Sequence, residues 1–65
     1  MTVKELRRRV KAIRAARHDD EHAHGLEDAL RRDVLKAIAD GAKNASALAA
    51  EALKTSEIGF ARWTA

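Results

Sequence analysis

The densest chemistry in the chain lies between residues 18 and 28, where His18, Asp19, Asp20, Glu21, His22 and His24 are followed by Glu27 and Asp28. Imidazole nitrogens and carboxylate oxygens are the donor set for zinc and related divalent ions. His18 and His22, four apart, share a metal only on a helix, whereas His22 and His24, two apart, share one only on an extended chain. The two geometries exclude each other, and neither spacing matches a specific ligand pattern. The competing reading is local. Carboxylates are stabilised at a helix N-terminus by its partial positive charge, and Asp caps free amides there. Three histidines beside five acids also gain charge between about pH 5 and 7, so pH sensing is a milder form of the metal expectation.

Charge of the opposite sign precedes this cluster. Residues 1–17 carry seven Lys/Arg against Glu5 alone, residues 18–28 carry five acids and no Lys/Arg, and the remainder is net +2, so the overall +3 hides a dipolar chain. On a helix, at about 100° per residue, Lys4, Arg7, Arg8, Lys11 and Arg14 gather on a face away from Val3, Leu6, Val10 and Ile13. Such a stripe can track phosphates. The plainer account is a solvated face whose cations offset the acidic segment. No aromatic interleaves with these cations, as it would in a single-strand binder that stacks bases.

The segment from Ala49 to Trp63 looks like a helix-turn-helix, with Ala50 as the small residue at the helix crossing, Leu53 packed between helices, Ser56 capping a recognition helix and Phe60 anchoring it. It departs from that motif at Lys54, where the turn glycine belongs, at Thr55, where an apolar residue belongs, and at Gly59, inside the recognition helix. Catalysis is not expected. The hydroxyls of Thr2, Ser46, Thr55, Ser56 and Thr64 fall at caps or in the tail, and there is no glycine-rich phosphate loop. Neither a cofactor nor a small-molecule substrate is implied.

Ala, Leu, Arg, Lys and Glu dominate, Pro is absent, and the class is all-α. The chain of 65 residues is 46% hydrophobic, but 15 of those residues are Ala, so few large side chains are left to build a core. Chains below about 70–80 residues rarely gain more than roughly 3–5 kcal/mol from one core, and without Cys there is no disulfide to add to it. Thr2-x-x-Glu5 is a capping-box pattern that starts helix 1, whose Val3, Leu6, Val10 and Ile13 form one apolar stripe with Arg17 as its polar stop. The acids at 19–21 open helix 2 near Asp20 or Ala23; Ala23, Leu26, Ala29, Leu30, Val34, Ala37 and Ile38 form its buried face, and Asp40-Gly41 ends it. Asn44 or Ser46 caps helix 3, which carries Ala45, Leu48, Ala49, Ala52 and Leu53. The expected fold is a small three-helix bundle, one domain over 1–65, with helices near 2–17, 20–40 and 45–54. A tail over 55–65 docks Phe60 and Trp63 on the helices, either as a last helical turn or as an extended strap.

Asp33 falls inside the apolar arc of helix 2 and needs a partner or a place at an interface rim, and Arg9 on an antiparallel helix 1 supplies one. Leu35 lies opposite Leu26 and has no place in a two-helix seam, so it packs on helix 3 or the tail or marks a partner surface. No apolar run approaches the ~20 residues of a membrane span, and Met1-Thr2-Val3-Lys4-Glu5 begins no signal peptide. A soluble cytoplasmic protein is the expectation.

The run Ala23-His24-Gly25-Leu26-Glu27-Asp28-Ala29-Leu30, with Asp33-Val34-Leu35, Ile38-Ala39 and Gly41, then Glu51-Ala52-Leu53-Lys54-Thr55 and Phe60-Ala61-Arg62-Trp63, resembles small uncharacterised helical proteins of actinobacteria and their phages. The resemblance spans about residues 3–63 and carries no catalytic motif. It implies a bacterial or phage setting, and it marks His24, Glu27, Asp28, Phe60, Arg62 and Trp63 as one surface or junction. The function expected from all of this is a non-enzymatic interaction module for a protein partner or a second copy, with Leu35, Phe60, Arg62 and Trp63 as contact residues, as in a phage accessory protein. The alternative is a small DNA-binding protein using Lys4, Arg7, Arg8, Lys11 and Arg14 with the imperfect helix-turn-helix. Metal or pH sensing by His18, His22 and His24 stands third.

Overall fold

The computed structural model describes residues 1–62, with α1 over Val3–Ala15, α2 over Asp20–Ala39 and α3 over Ala45–Leu53, then a 3₁₀ turn over Lys54–Glu57. The chain is an all-helical three-helix bundle, with no strand among the described residues. Each helix ends within two residues of where capping and periodicity place it, because the end signals are local. The Thr2 hydroxyl accepts from the Glu5 amide at 3.1 Å. The return leg of the box differs from expectation: the Thr2 hydroxyl also lies 3.2 Å from the Glu5 carboxylate and donates to it, in place of a bond from the Thr2 amide. Asp19 accepts from the His22 amide at 3.2 Å, which starts α2 at Asp20 rather than Ala23. Asn44 occupies the cap position of α3 without a side-chain cap bond, and its amide donates instead to the Met1 carbonyl at 3.3 Å.

The end of α2 depends on one residue. Gly41 has φ +91°, its amide reaches the Ile38 carbonyl at 3.0 Å, and the Ala42 amide reaches the Ala37 carbonyl at 3.0 Å. This paired arrangement satisfies carbonyls that the last helical turn leaves open, and it needs a left-handed residue at its centre. It turns the chain into the short connection that brings α3 back along α2.

The core is a single cluster. Leu6, Val10 and Ile13 enter it from α1, Ala23, Leu30 and Val34 from α2, Leu48 and Ala52 from α3, and Ile58 from the segment after the 3₁₀ turn. Val3, Leu26, Ala37, Ile38 and Phe60 pack around its edge. Leu53 does not join, contrary to the face assigned to α3, and is 67% exposed. Leu48 and Ala52, four apart, already hold the inward face, and one residue further on the side chain has rotated by about 100°.

Two ion pairs hold α1 to its neighbours. Arg9 Nη1 lies 2.9 Å from Asp33 Oδ2 on α2, the register-setting pair expected from the sequence. On the other shoulder of α1, Arg7 Nε lies 3.1 Å from Glu51 Oε1 on α3.

The helix-turn-helix expectation is overturned among the described residues. The Thr55 hydroxyl donates to the Ala52 carbonyl at 3.0 Å, the Ile58 amide donates to the Thr55 carbonyl at 3.0 Å, and Ile58 then turns extended at ψ 123°. Burial of Ile58 at 4% exposure draws the chain across the bundle, so no recognition helix follows Ser56 and Leu53 packs between no helices. Residues 59–62 have no regular secondary structure, so the last helical turn does not form among the described residues. Trp63 lies outside the described residues.

The two glycines of α2 and its C-terminal turn should respond to alanine with opposite signs. Gly41→Ala places a Cβ in the left-handed region and should destabilise by about 1–2 kcal/mol. Gly25 sits inside α2 with open space where a methyl group would stand, so Gly25→Ala should stabilise by up to about 1 kcal/mol. Urea unfolding of the two variants measures both, and a destabilised Gly25→Ala would contradict this account of α2.

Candidate functional site

Three surfaces bring together residues with chemistry: a junction at Glu27, an open apolar groove between α2 and α3, and a basic shoulder on α1.

The junction is the least exposed. Glu27 lies on the core-facing side of α2 between Ala23 and Leu30, and its side chain is 2% exposed. A carboxylate there is expensive unless it is paired and hydrogen-bonded. Arg62 meets it with a two-pronged fork, Nε to Oε1 at 2.8 Å and Nη2 to Oε2 at 3.0 Å. The same guanidinium donates to the carbonyls of Thr55 at 2.8 Å, Ile58 at 3.1 Å and Phe60 at 3.2 Å. It also stacks over the Phe60 ring at 3.9 Å, where the ring face attracts a cation. Arg31, one turn along α2, adds positive charge 3.8 Å away and hydrogen-bonds Ser56 at 3.0 Å. Burial pushes the Glu27 carboxyl up, but hydrogen bonding from Arg62 and the charges of Arg31 and Arg62 outweigh it, and the group ionises below the usual carboxylate range. The Ala61 amide donates to Asp20 at 3.1 Å and holds the end of the strap to the start of α2.

This arrangement revises two expectations. Arg62, expected to contact a partner, directs its donors into its own chain, and Phe60 is half-buried beneath it. The group marked by the resemblance is brought together only in part. Glu27, Phe60 and Arg62 meet, while His24 pairs with the exposed Asp28 at 3.3 Å. Composition and periodicity missed Glu27 as a buried group because an acid at that position reads as one more member of an acidic run. The usable signal was its place three to four residues from Ala23 and Leu30 on the apolar face.

The histidines do not converge. His18 lies in the turn before α2, so it does not share a helix face with His22, and His22 and His24 are helical rather than extended. Both spacings proposed for a metal therefore fail geometrically. Among the described residues no three His, Asp or Glu side chains are grouped to hold an ion.

The groove lies between α2 and α3, with a volume of about 380 Å³. Val34, Ile38, Ala49 and Ala52 form its floor and walls, and Leu35 and Leu53 stand at its edges, 66% and 67% exposed. Leu35 thus stays mostly exposed at the groove's edge rather than packed into the core. Alanines at 49 and 52 keep the α3 side low, which leaves the groove open rather than filled.

Lys4, Arg7, Arg8, Lys11 and Arg14 are all exposed, and the first four surround a shallow depression of about 260 Å³ on α1. Glu51, almost completely buried, pairs with Arg7 and with Lys54 at the start of the 3₁₀ turn. The Lys54 hydrogen bond is the larger influence in holding the Glu51 carboxyl below its usual range, and burial opposes it. No other carboxylate lies within ion-pair distance of this shoulder among the described residues.

No known family, no curated protein and no solved structure matches the chain. No helix among the described residues is long and apolar enough to cross a membrane.

The Glu27 pair makes stability depend on acid. A lowered carboxylate contributes stability that is full above its unfolded value, near 4.5, and is lost as pH falls through its lower folded value. Arg62→Ala, which strands a buried carboxylate, should cost about 3 kcal/mol near neutral pH, the lower end of the usual range because Arg62 keeps 31% of its side chain exposed. In urea melts of wild type and Glu27→Gln, the stability difference should be constant above about pH 5 and shrink below about pH 4.5. A difference that does not change with pH would mean that the carboxylate is not the group responsible.

Proposed function

We propose that this chain is a non-enzymatic helical interaction module that receives an apolar helix, from a partner protein or from a second copy of itself, in the groove between α2 and α3. The observation that carries the reading is the pair Leu35 and Leu53, two large apolar side chains about two-thirds exposed on either side of one apolar groove. Isolated exposed leucines are ordinary, but two flanking a concave apolar surface are the usual form of a helix-in-groove site. The ion pairs support the same reading. Arg9–Asp33 bridges the seam between α1 and α2, and Arg7–Glu51 bridges the seam between α1 and α3. No ion pair crosses from α2 to α3 among the described residues, and the seam left without one is the apolar groove.

The tail over 55–65 is a docked strap that adds Trp63 to Phe60 on the helices, and the setting is the cytoplasm of a bacterium or phage-infected cell, as the resemblance to actinobacterial and phage proteins implies. Leu35 is the contact residue retained from the sequence, and Leu53 joins it in place of Arg62.

Replacing Leu35 and Leu53 together by Lys leaves the core untouched, since neither belongs to it, and should preserve the far-ultraviolet spectrum. Sedimentation equilibrium over a wide concentration range then gives the test for self-association. Wild type should rise above the 7.2 kDa monomer mass while the double variant stays at it. With a partner helix instead, the wild type remains monomeric and a titrated amphipathic partner peptide loses at least tenfold in affinity to the variant. Equal behaviour of both proteins in both formats would refute the groove as the binding surface.

A further inference from the structure

We propose that the α1 shoulder is a docking surface for the phosphate backbone of double-stranded DNA, read without regard to base sequence. The inference does not depend on the apolar groove. It rests on the placement of Lys4, Arg7, Arg8, Lys11 and Arg14, which occupy an arc of about 120° on one helix and span ten residues, about 15 Å of rise. The arc faces solvent, and the first four cations enclose a common depression. Lys4, Arg8, Lys11 and Arg14 have no carboxylate within 4 Å among the described residues, so their donors are available to a ligand. Arg7 differs in a useful way. Its Nε bond to the buried Glu51 fixes the side chain while 65% of it remains exposed, and Lys54 is held beside it by the same carboxylate. Two of the cations on this face are thereby pre-oriented, which reduces the ordering a bound phosphate must impose.

The occupant follows from what accompanies the charge. A membrane-surface helix turns its apolar face to the lipid, but Leu6, Val10 and Ile13 of α1 are all buried in the core. Single-strand binders interleave aromatics on which bases stack, and α1 has none. A stripe of exposed cations along one helix, without exposed apolar or aromatic neighbours, matches a row of phosphates, which a DNA strand offers every 3.4 Å or so of helix axis. About 15 Å therefore meets roughly four phosphates. No helix follows the 3₁₀ turn among the described residues, so the contacts offered by this face are to the backbone, which positions a protein on DNA but does not specify a sequence.

The test is fluorescence anisotropy of a labelled 20-base-pair duplex across a salt series, with a single strand of the same length and anionic phospholipid vesicles as parallel arms. Four neutralised phosphates predict a slope of log K against log salt of about −3.6, a loss of roughly 100-fold between 50 and 200 mM salt. Arg8→Gln with Lys11→Gln should reduce that slope by about two. Lys36→Gln with Lys43→Gln removes the same charge from exposed positions elsewhere and should leave it unchanged. Circular dichroism checks that both double variants keep the helical fold, and the wild-type slope decides the matter even for a variant that does not. Absence of duplex binding at 50 mM salt would overturn the proposal. So would equal losses in the two double variants, or tighter binding to the single strand or to the vesicles.

Discussion

One carboxylate, Glu27, sets the terms for the C-terminal third of the molecule. Placed between Ala23 and Leu30 on the buried face of α2, it has to be neutralised and hydrogen-bonded inside the bundle, and no cation on the neighbouring helices satisfies both of its oxygens. Arg62 does so only if the chain after the 3₁₀ turn runs back over α2. That path buries Ile58, half-buries Phe60 and brings the Ala61 amide to Asp20. Arg62 also donates to the carbonyls of Thr55 in the 3₁₀ turn and of Ile58 and Phe60 in the irregular segment after it, so the guanidinium supplies hydrogen bonds that regular structure does not provide there. An acid in the core thus substitutes for apolar volume that an alanine-rich chain does not have.

The rest of the bundle is organised by charge at its edges. α1 carries an arginine on each shoulder, Arg9 toward Asp33 and Arg7 toward Glu51, and these fix its register against both partners while Leu6, Val10 and Ile13 fill the centre. Exposed ion pairs contribute little to stability, and neither of these is deeply enclosed on both sides. Their effect is selective: a one-turn slip of α1 would separate both arginines from their acids at once.

How much of this was legible in the sequence depends on the range of each signal. Helix ends were readable because Thr2, Asp19 and Gly41 act on amides and carbonyls within a few residues of themselves. The inward stripe of α1 and the Arg9–Asp33 pair were readable from periodicity plus the short turn that makes α1 and α2 antiparallel. Glu27 and Glu51 were not, since Arg62 and Arg7, the partners that reach them from elsewhere in the bundle, are 35 and 44 residues away, and an acid on an apolar face looks like an error in the pattern until such a cation is placed. Leu53 was misassigned for a related reason. On a short helix the apolar arc is defined by few residues, and with Leu48, Ala49 and Ala52 all on one side of it Leu53 falls at the arc's edge. The helix-turn-helix reading failed because local resemblance carried no information about Ile58, whose burial decides the direction of the chain.

The groove and the basic shoulder face different seams of the bundle, and the difference follows from the same shortage of large side chains. α3 is rich in alanine, with Ala45, Ala49, Ala50 and Ala52 along its length, so it covers little of the α1 and α2 edges beside it. Toward α1 the uncovered edge is cationic and is braced by Glu51, a single buried acid against Arg7 and Lys54. Toward α2 the uncovered edge is apolar, with Leu35 and Leu53 at its margins. The small residues leave the seam between α2 and α3 open and apolar rather than filled.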